Sequence, residues 1–470
     1  MPINSLLYPS NVFVPTTFDV DNSVRMDGAS KLTRSFGSAG NRKKWSMSMW
    51  VKRSKTGAGQ KLMGKYTSSS DRFALLFNGS DQLQIFWGND GGNKQITTNR
   101  LFRDTSAFYN FTFIIDTGNS TAADRMQIWV NGVRETSFAS TAYPTSGQDL
   151  PWNDSGVNEI GSYNNGNKFS GYLAEVVHQN DNAATPVDKF ISFDEDTGIC
   201  VPIDVSGLTL GTNGFYLDFE DSSALGNDAS GSNNFTSAGL AAIDQTTDTC
   251  TNNFATFNPL NNLGNNIAYS EGNLVITPGT SDYKTCISSI AVDSGKWYAE
   301  FKAVSGHNGS TDVSVGIVGA DDHIASTGSK AMSAYVSSFS YGSGGLVKKY
   351  NDSTIRTDAT YTDDDIIGIA VDMDNLKLYW SKNGTYNNSG DPTSGATGTG
   401  AVAITPAQLY YIAVATISSG GVKVFAANFG SPPYSESGGN SDADGHGNFL
   451  TAPPSGYFAL NTKNLAEYGG

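Results

Sequence analysis

The stretch DDDIIGIAVDMDNLKLYWSKNG (363–384) decides the fold of this chain. An apolar run ends near Asp372, Asp374-Asn375 supplies a two-residue turn, and LKLYW alternates apolar and polar positions before Asn383-Gly384. Alternation with period two places every second side chain on one face of a sheet, and the Asp/Asn turn joins two antiparallel strands. The device occurs twice. IIDTGNSTAADRMQIWVNG (114–132) has an apolar strand closing on Asp116, a turn, an alternating strand carrying Trp129, and again Asn-Gly. Two copies of one hairpin, far apart in the chain, imply two modules of the same all-β class.

Outward from these hairpins, strand patterns recur about every 8–15 residues with no helical stretch between them, the signature of antiparallel sandwiches. WSMSMWVKR (45–53) puts Trp45, Met47, Met49 and Val51 on one face and Ser46, Ser48 and Trp50 on the other. FALLFNG (73–79) and LQIFWG (83–88) form a hairpin across Asn78–Asp81, and FSGYLAEVVHQND (169–181) closes the first module. In the second, AYSEGNLVIT (268–277), KWYAEFKAV (296–304), VSVGIVG (313–319), SAYVSSFSY (333–341), YYIAVATI (410–417) and VKVFAANFG (422–430) each read as a strand. The expected order is an N-terminal arm (1–24), a jelly roll (25–182), an irregular connector (183–262), a second β-sandwich (263–435) and a tail (436–470). The connector's Phe190, Phe215, Phe219 and Phe235 supply too much aromatic surface for disorder.

Composition narrows function. The chain has 470 residues, more than one core holds. Only nine are Glu, whereas Gly, Ser, Thr and Asn abound, so helix formers are scarce and turn formers plentiful. A formal net charge of −15 disfavours nucleic-acid and anionic-membrane partners. The densest basic stretch, Arg42-Lys43-Lys44 with Lys52, Arg53 and Lys55, reads as a solvated sheet edge. No run of about 18 apolar residues spans a membrane, and no signal peptide is expected. Three cysteines without metal-ligand spacing (Cys200, Cys250, Cys286) fit folding in a reducing cytosol.

Residues 263–435 resemble SPRY domains, through KWYAEF (296–301), VSVGIVG, the 363–384 hairpin and ANFGSPPY (427–434), in that family's order. Residues 25–182 resemble a LamG-like, concanavalin-type jelly roll, through SMSMWVKR, RMQIWVNG and EIGSYNNGNKFSGYLAEVVHQND (159–181). FATFNPL (254–260) and PPSGYFALNTKNL (453–465) look like junction and tail segments of marine bacteriophage virion proteins. The resemblance implies a virion protein, made in the host cytoplasm, that displays both modules as a fibre, tail or capsid appendage. Its implied partners are other virion proteins, further copies of itself (a homotrimer favoured), and a host-surface glycan or protein. A purely structural capsid-decoration or tail-adaptor subunit and a polysaccharide depolymerase are the rival readings.

A jelly-roll glucanase needs two carboxylates flanking the sugar, usually on one strand. Here Glu175 and Glu300 each stand alone and Asp194-Glu195-Asp196 sits in the connector, so no catalytic residues are expected. The histidines (178, 307, 323, 446) are scattered, and His178 reads as a strand-face residue. No cofactor is expected except calcium, which the LamG resemblance allows at Asp116, Asp124 and Asn131; ordinary turn chemistry accounts for the same residues. Loops pairing aromatic rings with amides can hold sugars. The candidates are Trp87 with Asn89 and Asp90, Trp152 with Asn153 and Asp154, Tyr163 with Asn164, and Tyr341, Tyr350 and Tyr386 in the second module.

Overall fold

The computed structural model describes residues 18–89, 92–183, 185–195, 197–261, 266–279, 283–309, 313–324, 330–405, 409–435 and 438–469. Most of the expected N-terminal arm and the start of the tail's acidic segment therefore lie outside the described residues. Nearly all regular structure is antiparallel β.

The first module packs two eight-stranded sheets. One runs Val133–Arg134, Met126–Val130, Tyr109–Asp116, Lys44–Arg53, Ser170–Asn180, Ser23–Asp27 and Gln245–Thr246, with Phe215–Leu217 also paired to Ser170–Asn180. The other runs Phe138–Thr141, Gly92–Leu101, Gln82–Asn89, Asp71–Phe77, Gln60–Ser68, Gly156–Ile160, Lys31–Phe36 and Thr236–Ala238. Between them lies a core containing Trp45, Met47, Met49, Val51, Phe73, Leu75, Trp87 and Phe111. The second module has a nine-stranded sheet centred on Lys296–Ser305 and Ile366–Asp372, and a six-stranded sheet from Lys284–Val292 to Ser353–Thr357. Its core gathers Trp297, Phe301, Ile369, Val371, Leu378 and Trp380.

Both expected hairpins form. In the first, Asp372 opposes Lys377, so the connection is four residues, 373–376, with Leu376 left-handed, and not the two-residue turn expected at Asp374-Asn375. Asn131-Gly132 and Asn383-Gly384 both hold two consecutive positive φ values (47° and 74°, 48° and 82°), the requirement of a two-residue type I′ connection. One expected strand divides: 268–277 is a hairpin of Ile267–Ser270 and Val275–Pro278, because Glu271, Gly272 and Asn273 all turn left-handed.

The segment 183–262 is less a connector than a jacket. Its Phe215–Leu217, Thr236–Ala238 and Gln245–Thr246 add strands to the first module, and Phe215, Leu217, Phe219, Leu225 and Phe235 enter that core. Phe190, Ile191, Val205, Leu210 and Tyr216 cover the outer face of the first sheet around Trp50 and Val177. Phe254, Ala255 and Phe257 belong to the second module's packing. The sequence signal was faint because these strands are two or three residues long, too short for alternation to show.

The basic stretch at 42–55 departs in part from the expected solvated edge: Lys43, Lys44 and Lys55 are exposed, but the strand they flank lies inside its sheet. Lys44–Arg53 is interior, between Tyr109–Asp116 and Ser170–Asn180, and Lys52 and Arg53 are fully buried. Arg53 reaches Asp81 at 3.1 Å and lies 4.1 Å from the centre of the Phe77 ring. Lys52 Nζ donates to Asp248 Oδ2 (2.8 Å), Asn253 Oδ1 (2.7 Å) and the Phe254 carbonyl (3.1 Å). Nearby, buried Arg25 reaches Glu271 at 3.5 Å and the Ile243 carbonyl at 3.0 Å, and the Tyr172 hydroxyl donates to the Gly272 carbonyl (3.0 Å). A seam of paired charge thus joins the two modules.

Candidate functional site

The outer face of the first module's second sheet carries a groove. Register across four strands sets it in rows. Lys61, Leu76, Gln84 and Thr97 form one row, and Gly64, Ala74, Phe86 and Gln95 the next. Tyr66 and Arg72 begin a third. Core-facing Phe73, Leu75, Phe77, Leu83, Ile85 and Trp87 alternate with these positions, so burying one set obliges the other to face outward.

The groove wall is the loop at 161–168. Three left-handed asparagines, Asn164, Asn165 and Asn167, fold it back on itself. The Lys61 N–H donates to the Asn167 carbonyl (2.8 Å) and the Phe169 N–H to the Gly161 carbonyl (2.8 Å), pinning both ends. Tyr163 therefore lies over the sheet above Gly64, where an added Cβ would stand 2.7 Å from Tyr163 Cδ2; only glycine admits the ring there. Tyr66 meets Tyr163 edge-on at 5.7 Å, Lys61 Nζ lies 5.8 Å from the centre of the Tyr163 ring, and the Arg72 guanidinium lies 5.0 Å from that of Phe86. The hollow is about 450 Å³ and adds Asn164, Gly166 and Asn167 to its lining. Gln84 Nε2 donates to Thr97 Oγ1 (2.9 Å). Burial, and secondarily the charge of Arg72, hold the Lys61 ammonium below its ordinary pKa; burial raises that of Tyr163. Chemically this is a surface suited to binding: two aromatic rings, several amides and two cations, with no carboxylate in the lining among the described residues.

Of the sequence candidates, Tyr163 and Asn164 come together here. Trp87, Trp152 and Tyr341 are fully buried, which corrects their expected contact with ligand. Trp152 packs edge-on against Phe36 and His178, and Tyr341 against Tyr361. Asn153 is buried in an amide cluster, donating to Asn180 Oδ1 (2.6 Å) and accepting from Asn213 Nδ2 (3.1 Å). Asp154 is held by Arg42 (3.1 Å) and Lys65 (3.6 Å). Asn89 ends its strand opposite Gly92; its side chain and Asp90 lie outside the described residues. Tyr386 is half-buried against Tyr379. Tyr350, 45% exposed, borders a separate hollow of about 540 Å³ on the second module with Tyr283, Met332, Lys348 and Asp352. Sequence reasoning missed Lys61, Arg72, Gln84, Phe86, Gln95 and Asn167. The signal was present in the alternation: Phe86, beside Trp87, takes the opposite face.

Each of the calcium candidates is engaged within the protein. Asp124 pairs with Arg134 at 2.6 Å, Asn131 Oδ1 accepts from the Asn110 N–H (2.8 Å), and Asp116 Oδ1 accepts from the Gly118 N–H (3.2 Å). Their oxygens serve turns and an ion pair. Among the described residues no three His, Cys, Asp or Glu side chains converge as for a metal.

The lone carboxylates are buried and hydrogen-bonded. Glu300 accepts from the Leu450 and Thr451 N–H groups (2.9 and 3.0 Å) and from Tyr298 (3.0 Å). His178 is walled in by Trp45, Trp152 and Phe215, and burial lowers its pKa to about 3. Glu175 sits at a bulge with φ 49°, accepts from the Tyr216 hydroxyl (2.6 Å), and is pushed up to about 8. Burial is the main cause, with Asp218, Glu220 and Asp204 adding to it and the Tyr216 hydrogen bond opposing it. Because the folded value exceeds the ordinary 4.5, protonation favours folding. That contribution is full below about pH 4.5 and is lost as pH rises through about 8. Glu175→Gln is therefore expected to melt higher than the parent at pH 9 and to lose this pH dependence. The scale is about 2–4 °C for each kcal/mol recovered. Parallel melting profiles of parent and variant from pH 5 to 9 would contradict it.

Residues 27–183 match the family described as the concanavalin A-like lectin/glucanases superfamily. No curated protein matches the chain. Similar solved structures include the SPRY domain of human HERC1, 17% identical, which covers 36% of this chain and 96% of its own, with a TM-score of 0.29. A native heptameric SAP-like pentraxin from Limulus polyphemus is 16% identical over 35% of this chain and 78% of its own, with a TM-score of 0.27. Domain 4 of AbnA, a GH43 extracellular arabinanase from Geobacillus stearothermophilus, in complex with arabinotriose, is 17% identical over 35% of this chain and 72% of its own, with a TM-score of 0.27.

Proposed function

We propose that this chain is a glycan-binding protein whose first module holds sugar in the groove between Tyr163 and Phe86, and that it binds without catalysing. The observation that carries this reading is the groove itself: rings and amides face outward from a rigid sheet, walled by a loop tied down at both ends. Rings offer apolar faces to a pyranose, and amides both donate to and accept from its hydroxyls. Hydrolysis would need a pair of carboxylates beside the sugar, whereas Glu175 and Glu300 are buried within hydrogen-bond networks. The second module, with its hollow at Tyr350, is a separate binding or assembly surface.

Within this reading the protein is a bacteriophage virion component, a homo-oligomeric fibre or appendage that attaches to the host surface. The support is the resemblance of its modules and of segments 254–260 and 453–465 to such proteins. Full-length protein titrated with an oligosaccharide panel is expected to bind, with Tyr163→Ala weakening the bound sugars about tenfold, a loss of about 1.4 kcal/mol. Binding to intact host cells and blocking of phage adsorption test the virion role. Reducing-sugar release from host polysaccharide would contradict a binding role, and no binding to any glycan would remove the reading.

A further inference from the structure

We infer that the groove selects an acidic glycan, whose anionic group is held by Lys61 and Arg72 without a metal ion. This rests on the glycan-binding reading above and adds the ligand's charge. Acidic residues outnumber basic ones 45 to 30 in the chain, yet among the described residues the groove lining holds two cations and no carboxylate. Lys61 is half-buried, and among the described residues its ammonium has no hydrogen-bond or ion-pair partner, only the Tyr163 ring at 5.8 Å. A part-buried ammonium without such partners is costly, and the nearby guanidinium adds like-charge repulsion. An anion seated between them relieves both costs and gains charge-assisted hydrogen bonds.

The remaining lining fixes the class of anion. Gln84, Gln95, Asn164 and Asn167 offer the mixed donors and acceptors that sugar hydroxyls need. Phe86 and Tyr163 offer apolar surface for a ring. A hollow of about 450 Å³ falls within the range of small-molecule pockets, roughly 300–1,000 Å³. The carboxylate of a uronic acid and the sulfate of a sulfated hexose share the required chemistry.

The test uses the full chain, calorimetric titration, and oligomers of galacturonate, mannuronate and glucuronate beside their methyl esters, which keep the skeleton and remove the charge. A chondroitin sulfate oligosaccharide separates sulfate from carboxylate, a cello-oligosaccharide supplies a neutral sugar, and single-stranded DNA supplies a non-sugar polyanion. At least one acidic glycan is expected to bind about tenfold or more tighter than its ester or the neutral sugar, at unchanged affinity in EDTA. Lys61→Gln, which keeps a polar side chain and removes the charge, is expected to erase that preference, as is Arg72→Gln; melting curves confirm folding, and Lys61→Gln alone suffices if Arg72→Gln is unstable. Equal affinity for acid and ester would overturn the inference while leaving glycan binding intact. So would loss of binding in EDTA, or DNA bound more tightly than any sugar. Binding of no sugar at all would overturn both.

Discussion

Replacing Lys52 with methionine is expected to destabilise the chain by about 3–5 kcal/mol, the cost of stranding one partner of a buried ion pair. Lys52 is 0% exposed, and among the described residues the Asp248 carboxylate keeps one hydrogen bond, from the Phe254 N–H (3.1 Å), once the ammonium is gone, with the charge of Arg25 nearby. The ammonium also fills a position 5.2 Å from the Tyr172 ring centre and 5.8 Å from that of Phe108. Methionine matches the stem in length but carries no charge. Urea unfolding of parent and variant measures the loss. The double variant Lys52→Met/Asp248→Leu is expected to regain much of it, because a well-packed apolar pair avoids the desolvation that an ion pair must offset. A single-variant loss under about 1 kcal/mol would mean that the seam between the modules is hydrated, as surface ion pairs are.

Trp152→Ala is expected to cost about 3–5 kcal/mol, the range for deleting a buried aromatic side chain. Its ring centre lies 6.0 Å from that of Phe36, 6.4 Å from Trp45 and 5.8 Å from His178, so truncation opens a cavity where the two sheets of the first module meet. Glycan affinity of the folded variant should stay unchanged, because the groove lies on the opposite face of the second sheet. Chemical denaturation and a glycan titration of the same sample separate the two roles. A variant as stable as the parent but weakened in binding would return Trp152 to the ligand site.

The sequence revealed the fold well where alternation runs long. Residues 366–382 and 45–53 each bury one face in a core, and the two Asn-Gly turns need the left-handed backbone that those residues tolerate. It revealed little of 183–262, whose strands are too short to carry a period and whose partners lie far away in sequence. Site residues failed in a consistent way. Tryptophan in an aromatic-amide cluster reads as a sugar platform, yet Trp87 and Trp152 are large apolar side chains and are buried in the core. Phe86 lies next to Trp87 in sequence, and the pleat puts it on the opposite face. Lys52 and Arg53 read as solvated because charge normally is, and no local pattern announces that Asp248 and Asp81 will meet them. Tyr163 is legible as a ring beside an amide in a loop; that the loop folds it over the sheet depends on the left-handed Asn164, Asn165 and Asn167, which the structure shows.

A crystal structure of the full chain with a bound oligouronate or sulfated oligosaccharide tests the central claim most directly. Sugar is expected between Tyr163 and Phe86, with its acidic group within hydrogen-bond distance of Lys61 Nζ and the Arg72 guanidinium. Sugar seated instead in the second module's hollow at Tyr350, or at the Asp116–Asn131 turns with a calcium ion, would contradict the account.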